Sequence, residues 1–218
     1  MTSAYTPSSD TTFRTLYTHL QTFPPPLLPP GKSLDPLLTD KISSLYLHPS
    51  LEALLHILNH DLPSAHFLVR HMQSSPADEG MYTHGILHRI EGDFDNARAW
   101  YADVCTSAAF TNCWGEASEQ ETSESEKLSE KLEKKIPAQK AAREFLDGVE
   151  ALVKRKEGDK EQLEKQSKRE IEMLVQFCVD KFGTEKVTDA STAWVQPSDE
   201  IREKGNSMTT GTEGHRKF

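Results

Sequence analysis

The sequence predicts an all-α protein of helical hairpins followed by two C-terminal helices, with a disordered insertion and tails. Three observations predict it. Every periodic segment of useful length spaces its apolar residues at the 3.6-residue period of a helix, never at the two-residue period of a strand. Sliding the chain by 32 residues lays Asp61, Leu62, Ser64, Ala65 and Val69 over Asp93, Phe94, Asn96, Ala97 and Tyr101, a weak internal repeat of helix–turn–helix size. Residues that stop helices, in the run FPPPLLPPG and at Gly92 and Gly183, stand at the ends of those segments.

Leu16, Leu20 and Phe23 share one side of a first short helix over 10–21, with Ser9 or Asp10 as its cap. The Pro-rich connector 24–32 ends it, because proline removes backbone donors and biases the residue before it toward extended geometry. Such a stiff segment serves either to wrap a domain or to bind a protein. A weak helix follows over 34–47. Leu51, Leu54, Leu55 and Leu58 then fall at i, i+3, i+4 and i+7, an amphipathic helix capped by Ser50. DLPSAHFLVRHM is its partner, with proline in the first turn where a missing N–H is harmless. MYTHGILHRIEGDFDNARAWYADV holds two more helices, split at Gly92, with Asp93 placed to cap the second.

After the apolar patch VCTSAAFTNCWG comes an acidic, low-complexity insertion at 116–135, whose only sizeable apolar residues are Leu128 and Leu132. It cannot bury enough surface to offset its ordering entropy, so it reads as disordered or marginally helical. Helices resume over 137–156 and 159–182, and Gly183 stops the second. Residues 184–218 read as a polar tail around the aromatic clamp AWV. The whole, 1–218, forms a single helical domain with its core in 10–104 and 137–182.

Composition narrows the function. A chain of 218 residues can bury one core, and its hydrophobic fraction of 36% leaves part of the length as surface or tail. Its 34 acidic against 25 basic residues, net −9, argue against general affinity for nucleic acid or anionic lipid. No run reaches the roughly 18–20 apolar residues of a membrane span. The N-terminus lacks a basic region followed by an apolar one, so no secretion signal is expected. Cys105, Cys113 and Cys178 form neither an even disulfide set nor a CxxC knuckle, and a reduced, cytoplasmic compartment fits best. There is no GxGxxG, Walker or G-x-S-x-G motif.

The densest chemistry lies in 81–104. His84 and His88 stand four apart on one helix face, Glu91 extends that face, and the 32-residue offset lays Glu52 and His56 over His84 and His88. If the first helices of the two hairpins pack side by side, Glu52, His56, His84 and His88 are a candidate ligand set for a divalent metal. Without a metal, His88 is the candidate proton-transfer group, His84 its neighbour, and Glu91 the carboxylate orienting an imidazole. Arg89, Asn96 and Trp100 are then the candidate substrate-binding residues, with Arg89 on a carboxylate or phosphate. Each residue also has a plainer role: packed imidazoles, a capping Asp93, core aromatics at Trp100 and Tyr101, surface partners at Arg89 and Arg98.

Gly85, Gly92, Ala97 and Tyr101 fall at the small and aromatic positions of a tetratricopeptide repeat (TPR), and residues 50–104 resemble such hairpins. His84, His88, Arg89, Glu91, Asp93, Asn96 and Trp100 also carry a pattern close to H-x3-HR-x-E-x-D-x2-N-x3-W, similar to a box in uncharacterised fungal and bacterial proteins. The C-terminal DASTAWVQPSDEIREKG resembles the fungal branch of that group, and the chain resembles small accessory proteins encoded with fungal polyketide pathways such as that for fusaric acid. The resemblance implies a role near secondary metabolism and carries no catalytic residues with it. Two classes stay open. An accessory enzyme or ligand-binding protein would gather these polar groups into a concave site, whereas a TPR-like adaptor would expose them in a groove for partner proteins.

Overall fold

The computed structural model describes residues 12–115 and 124–196. Among them are nine helices and no strand: α1 (Phe13–Leu20), α2 (Leu37–Ser43), α3 (Pro49–Leu58), α4 (Leu62–Val69), α5 (Asp78–Glu91), α6 (Phe94–Val104), α7 (Ala108–Trp114), α8 (Glu124–Arg155) and α9 (Lys160–Phe182). The protein is all-α.

Local chemistry sets most of the boundaries. Asp61, Asp93 and Asp159 each accept the N–H three residues on, starting α4, α6 and α9. Gly92 closes α5 in the left-handed region at φ 84°, which a side chain would strain. Two caps differ from expectation. Thr12 and Thr15 form a reciprocal capping box that starts α1, while Ser9 and Asp10 lie outside the described residues. At α3 the cap is the His48 ring, whose Nδ1 accepts the Ser50 N–H at 3.3 Å, so Ser50 itself is already helical.

Two helical stretches depart from the sequence reading. The patch VCTSAAFTNCWG contains α7, whose seven residues are too few to display a period but enough to bury Ala109, Phe110, Cys113 and Trp114. α8 begins at Glu124 instead of 137 and carries Pro137 inside it. The acidic insertion therefore enters this helix at residue 124, and residues 116–123 lie outside the described residues.

α3 pairs with α4 and α5 with α6, and α4 and α5 also touch; α7 rests on α8 and α9, and α9 reaches back to α3. The core between them is continuous, with Leu51, Leu54, Ile57, Tyr82, Ile86, Phe110, Val149, Ile171 and Leu174 all buried. The Pro-rich connector wraps this body. Leu27 is buried, the Pro24 carbonyl meets the His60 ring at 3.0 Å, and the Pro26 carbonyl accepts the Ser167 hydroxyl at 2.9 Å. The start of the expected polar tail docks as well. Val187 donates its N–H to the Tyr46 carbonyl, Gln73 donates to the Val195 carbonyl, and Ala193 is buried; residues 197–218 lie outside the described residues. Among the described residues no helix is long and apolar enough to cross a membrane.

Candidate functional site: histidines of α4 and α5

His84 and His88 are one helical turn apart on α5, so their rings stack, with centroids 4.8 Å apart and planes 17° from parallel. α4 brings a third imidazole to them. His66 stands edge-on to both rings, and its Nε2 lies 3.1 Å from His84 Nε2. Trp100 of α6 stacks on His84 as well, at 4.6 Å. One ring nitrogen from each histidine lies within 4.8 Å of the others.

Carboxylates stand behind the rings. Glu91 places one oxygen 3.5 Å from His66 Nδ1 and the other 3.6 Å from His88 Nδ1, and Asp93 Oδ2 is also 3.6 Å from His88 Nδ1. These distances are long for hydrogen bonds, yet they favour a proton on Nδ1 of His66 and of His88, which leaves the His66 Nε2 as the acceptor for His84 Nε2. His84 is 6% exposed, whereas the His66 and Glu91 side chains are about one-third exposed, so the cluster opens toward solvent on that side. Burial, with His88 and His66 adding to it, pushes the His84 imidazole down to about 3. Burial also lowers His88, although Glu91 and Asp93 pull the other way.

Of the residues singled out from sequence, His84, His88, Glu91 and Trp100 come together here. The others do not. Glu52 and His56 form a separate group, with His56 Nδ1 3.4 Å from Asp61 and Nε2 3.8 Å from Glu52. The expected set of Glu52, His56, His84 and His88 therefore does not assemble; among the described residues, only His66, His84 and His88 group closely enough to share an ion. The physical reason is which faces meet: α3 and α4 both touch α5, but His56 is directed at Glu52 and Asp61, whereas His66 lies on the face of α4 that meets His84 and His88. Asn96 donates its side-chain amide to Asp93 at 2.7 Å and belongs to the cap of α6.

Arg89 is the larger correction. It is fully buried, pairs with Glu170 of α9 at 3.1 Å, donates to Ser167, and lies 4.9 Å over the Phe145 ring. Burial opposes its charge, but Glu170 and the nearby tyrosines outweigh that and hold the guanidinium charged. Tyr82 and Tyr101 both donate to Glu170, and Trp114 Nε1 donates to the Tyr82 hydroxyl. This network locks α5, α6, α7 and α9 together. No substrate at the histidines can reach Arg89.

Sequence reasoning missed His66 and Glu170. His66 had no period or repeat partner to mark it, whereas Glu170 sat legibly beside Ile171 and Leu174 on the buried face of α9. The chain matches no family model, no curated protein and no solved structure.

Proposed function

We propose that the protein binds a divalent transition-metal ion through His66, His84 and His88 and uses it as an accessory enzyme of fungal small-molecule biosynthesis. One observation carries the chemistry: three ring nitrogens within 4.8 Å, two of the rings backed at Nδ1 by Glu91. Three imidazoles are the ligand set of open metal sites, in which the fourth position takes water or substrate. The carboxylate behind two rings is the outer-shell arrangement that fixes tautomer and ring orientation. Bound there, such an ion would supply a Lewis acid and an acidified water. The biosynthetic setting rests on the sequence resemblance alone.

The adaptor reading needs chemistry-bearing side chains exposed along a groove. On α4, α5 and α6 the histidines and Trp100 instead face one another. The test is titration of chelator-stripped protein with Zn2+ and Co2+ by calorimetry and visible absorption. The reading expects one ion per chain, a nitrogen-ligated Co2+ spectrum, and loss of both in His66→Ala and His88→Gln. Binding that survives both substitutions sinks the metal reading. Metabolite profiling of the His88→Gln strain then tests the biosynthetic setting separately.

A further inference from the structure

Two helical stripes face each other across a gap on the far side of α6. Arg98, Tyr101 and Ala102 of α6 and its C-cap Cys105 fall at i, i+3, i+4 and i+7, and Gln139, Ala142, Arg143 and Leu146 repeat that spacing on α8. Such stripes meet as a packed seam when large apolar residues fill them. Here Ala102 and Ala142 occupy the central positions, and a concavity of about 550 Å³ remains, with Phe110 of α7 also lining it. That volume lies within the range of small-molecule sites, which commonly form between the helices of bundles. At 100° per residue, Trp100 falls about 150° around α6 from the centre of this stripe, so the concavity is separate from the histidine cluster.

We propose that this concavity binds a small amphipathic organic anion, its apolar body against Tyr101, Phe110 and Leu146 and its acid group at Arg143. The lining is chiefly apolar, so water held there is readily displaced by a hydrocarbon or aromatic body. The charge argument turns on the two arginines. Arg98 is already neutralised by Asp95, Asp147 and Glu150. Arg143, lining the same space, has no carboxylate partner among the described residues. Gln139 adds a side-chain amide beside it. An apolar chamber whose exposed rim carries a guanidinium that no described carboxylate engages suits a carboxylate or sulfonate with a hydrophobic body. It does not suit a nucleotide, which needs several donors for its phosphates, or an extended peptide, whose backbone needs partners the apolar walls lack.

The probe is 1-anilinonaphthalene-8-sulfonate, with the neutral N-phenyl-1-naphthylamine as its uncharged counterpart, both followed by fluorescence titration of the full chain. The sulfonate should bind at one site, at least about tenfold more tightly than the neutral amine. Arg143→Glu should erase that preference and leave the neutral probe unchanged. Ala102→Trp, at an exposed position, should exclude both probes while the circular dichroism and melting temperature stay as in the parent. A second readout does not depend on a variant. Cys113 and Cys178 are buried and Cys105 is partly exposed, so N-ethylmaleimide labels Cys105 first, and saturating sulfonate should slow that labelling about tenfold or more. Equal binding of the sulfonate in Ala102→Trp, or an unchanged preference in Arg143→Glu, overturns the proposal. So does Cys105 labelling that is indifferent to the probe. Loss of metal binding at the histidines would leave each of these results as it stands.

Discussion

Arg89 and Glu170 are joined at 3.1 Å with neither side chain reaching solvent. The pair links α5 to α9: Tyr82 and Tyr101 donate to the carboxylate and Arg89 Nη2 donates to the Ser167 hydroxyl, while Arg89 Nε and Nη1 stay buried with no hydrogen-bond partner among the described residues. A buried pair of this kind is weak evidence of net stability, because desolvation offsets the attraction. Removing one partner is a different matter, since it leaves an uncompensated charge in the core.

Glu170→Gln should therefore cost about 3–5 kcal/mol, read by urea denaturation at neutral pH. Replacing Arg89 as well, in Arg89→Met with Glu170→Gln, should recover part of that loss by removing the stranded cation. A double variant less stable than either single one contradicts the account.

What was legible in the sequence and what was not follows from range. Helices with clear apolar stripes, such as α3 and α9, declared themselves, and Gly92 and Asp93 declared the turn between α5 and α6. α7 did not, because seven residues hold too few turns to show periodicity. At the site, His84, His88 and Glu91 were visible because their spacing within one helix places them together. His66 was not, because its place depends on which faces of α4 and α5 meet, a contact between hairpins that no spacing within one helix reveals. Arg89 was misplaced for a related reason: its neighbour His88 points to solvent-facing chemistry, but one residue is 100° of turn, enough to carry a side chain into the core.

His48 ties stability to pH. Its Nδ1 must be unprotonated to accept the Ser50 N–H, and its ring lies flat on Phe182 at 3.5 Å. Burial, with Lys181 adding to it, lowers the imidazole from 6.5 to about 4. The folded state thus binds its proton less readily than the unfolded chain. Its contribution is complete above pH 6.5 and declines as pH falls toward 4, by at most about 1.4 kcal/mol per pH unit. His48→Asn keeps a capping acceptor but removes the titrating ring and the stack. It should be less stable at pH 7 and show a shallower slope between pH 6.5 and 4. An unchanged slope would remove His48 from the explanation.

Gly85 sets how closely α5 approaches α6. A Cβ there would lie 2.8 Å from Tyr101 Cδ1 and 3.0 Å from Trp100 Cβ, closer than packed atoms stand. Gly85→Ala should cost about 1–3 kcal/mol by thermal or urea melting, as overpacked cores do. It should also weaken metal binding, since Trp100 stacks on His84. Full stability in this variant would mean that α5 and α6 can separate without loss.

Glu91 offers the sharpest test of the histidine site, because it touches the proposed ion only through His66 and His88. Glu91→Gln preserves its shape and removes its charge, so the rings lose the acceptor that orients their Nδ1 protons. Outer-shell losses of this kind lower metal affinity by about 10–100-fold. Calorimetric titration with Zn2+ should show that drop with the stoichiometry unchanged, distinguishing a positioning residue from a ligand. Glu52→Gln is the matched control. It alters the same charge beside a different histidine, His56, in a group the three-histidine cluster does not include. Its affinity should equal the parent's. If the two variants bind Zn2+ alike, Glu91 does not hold the rings, and a site built on His66, His84 and His88 loses its support.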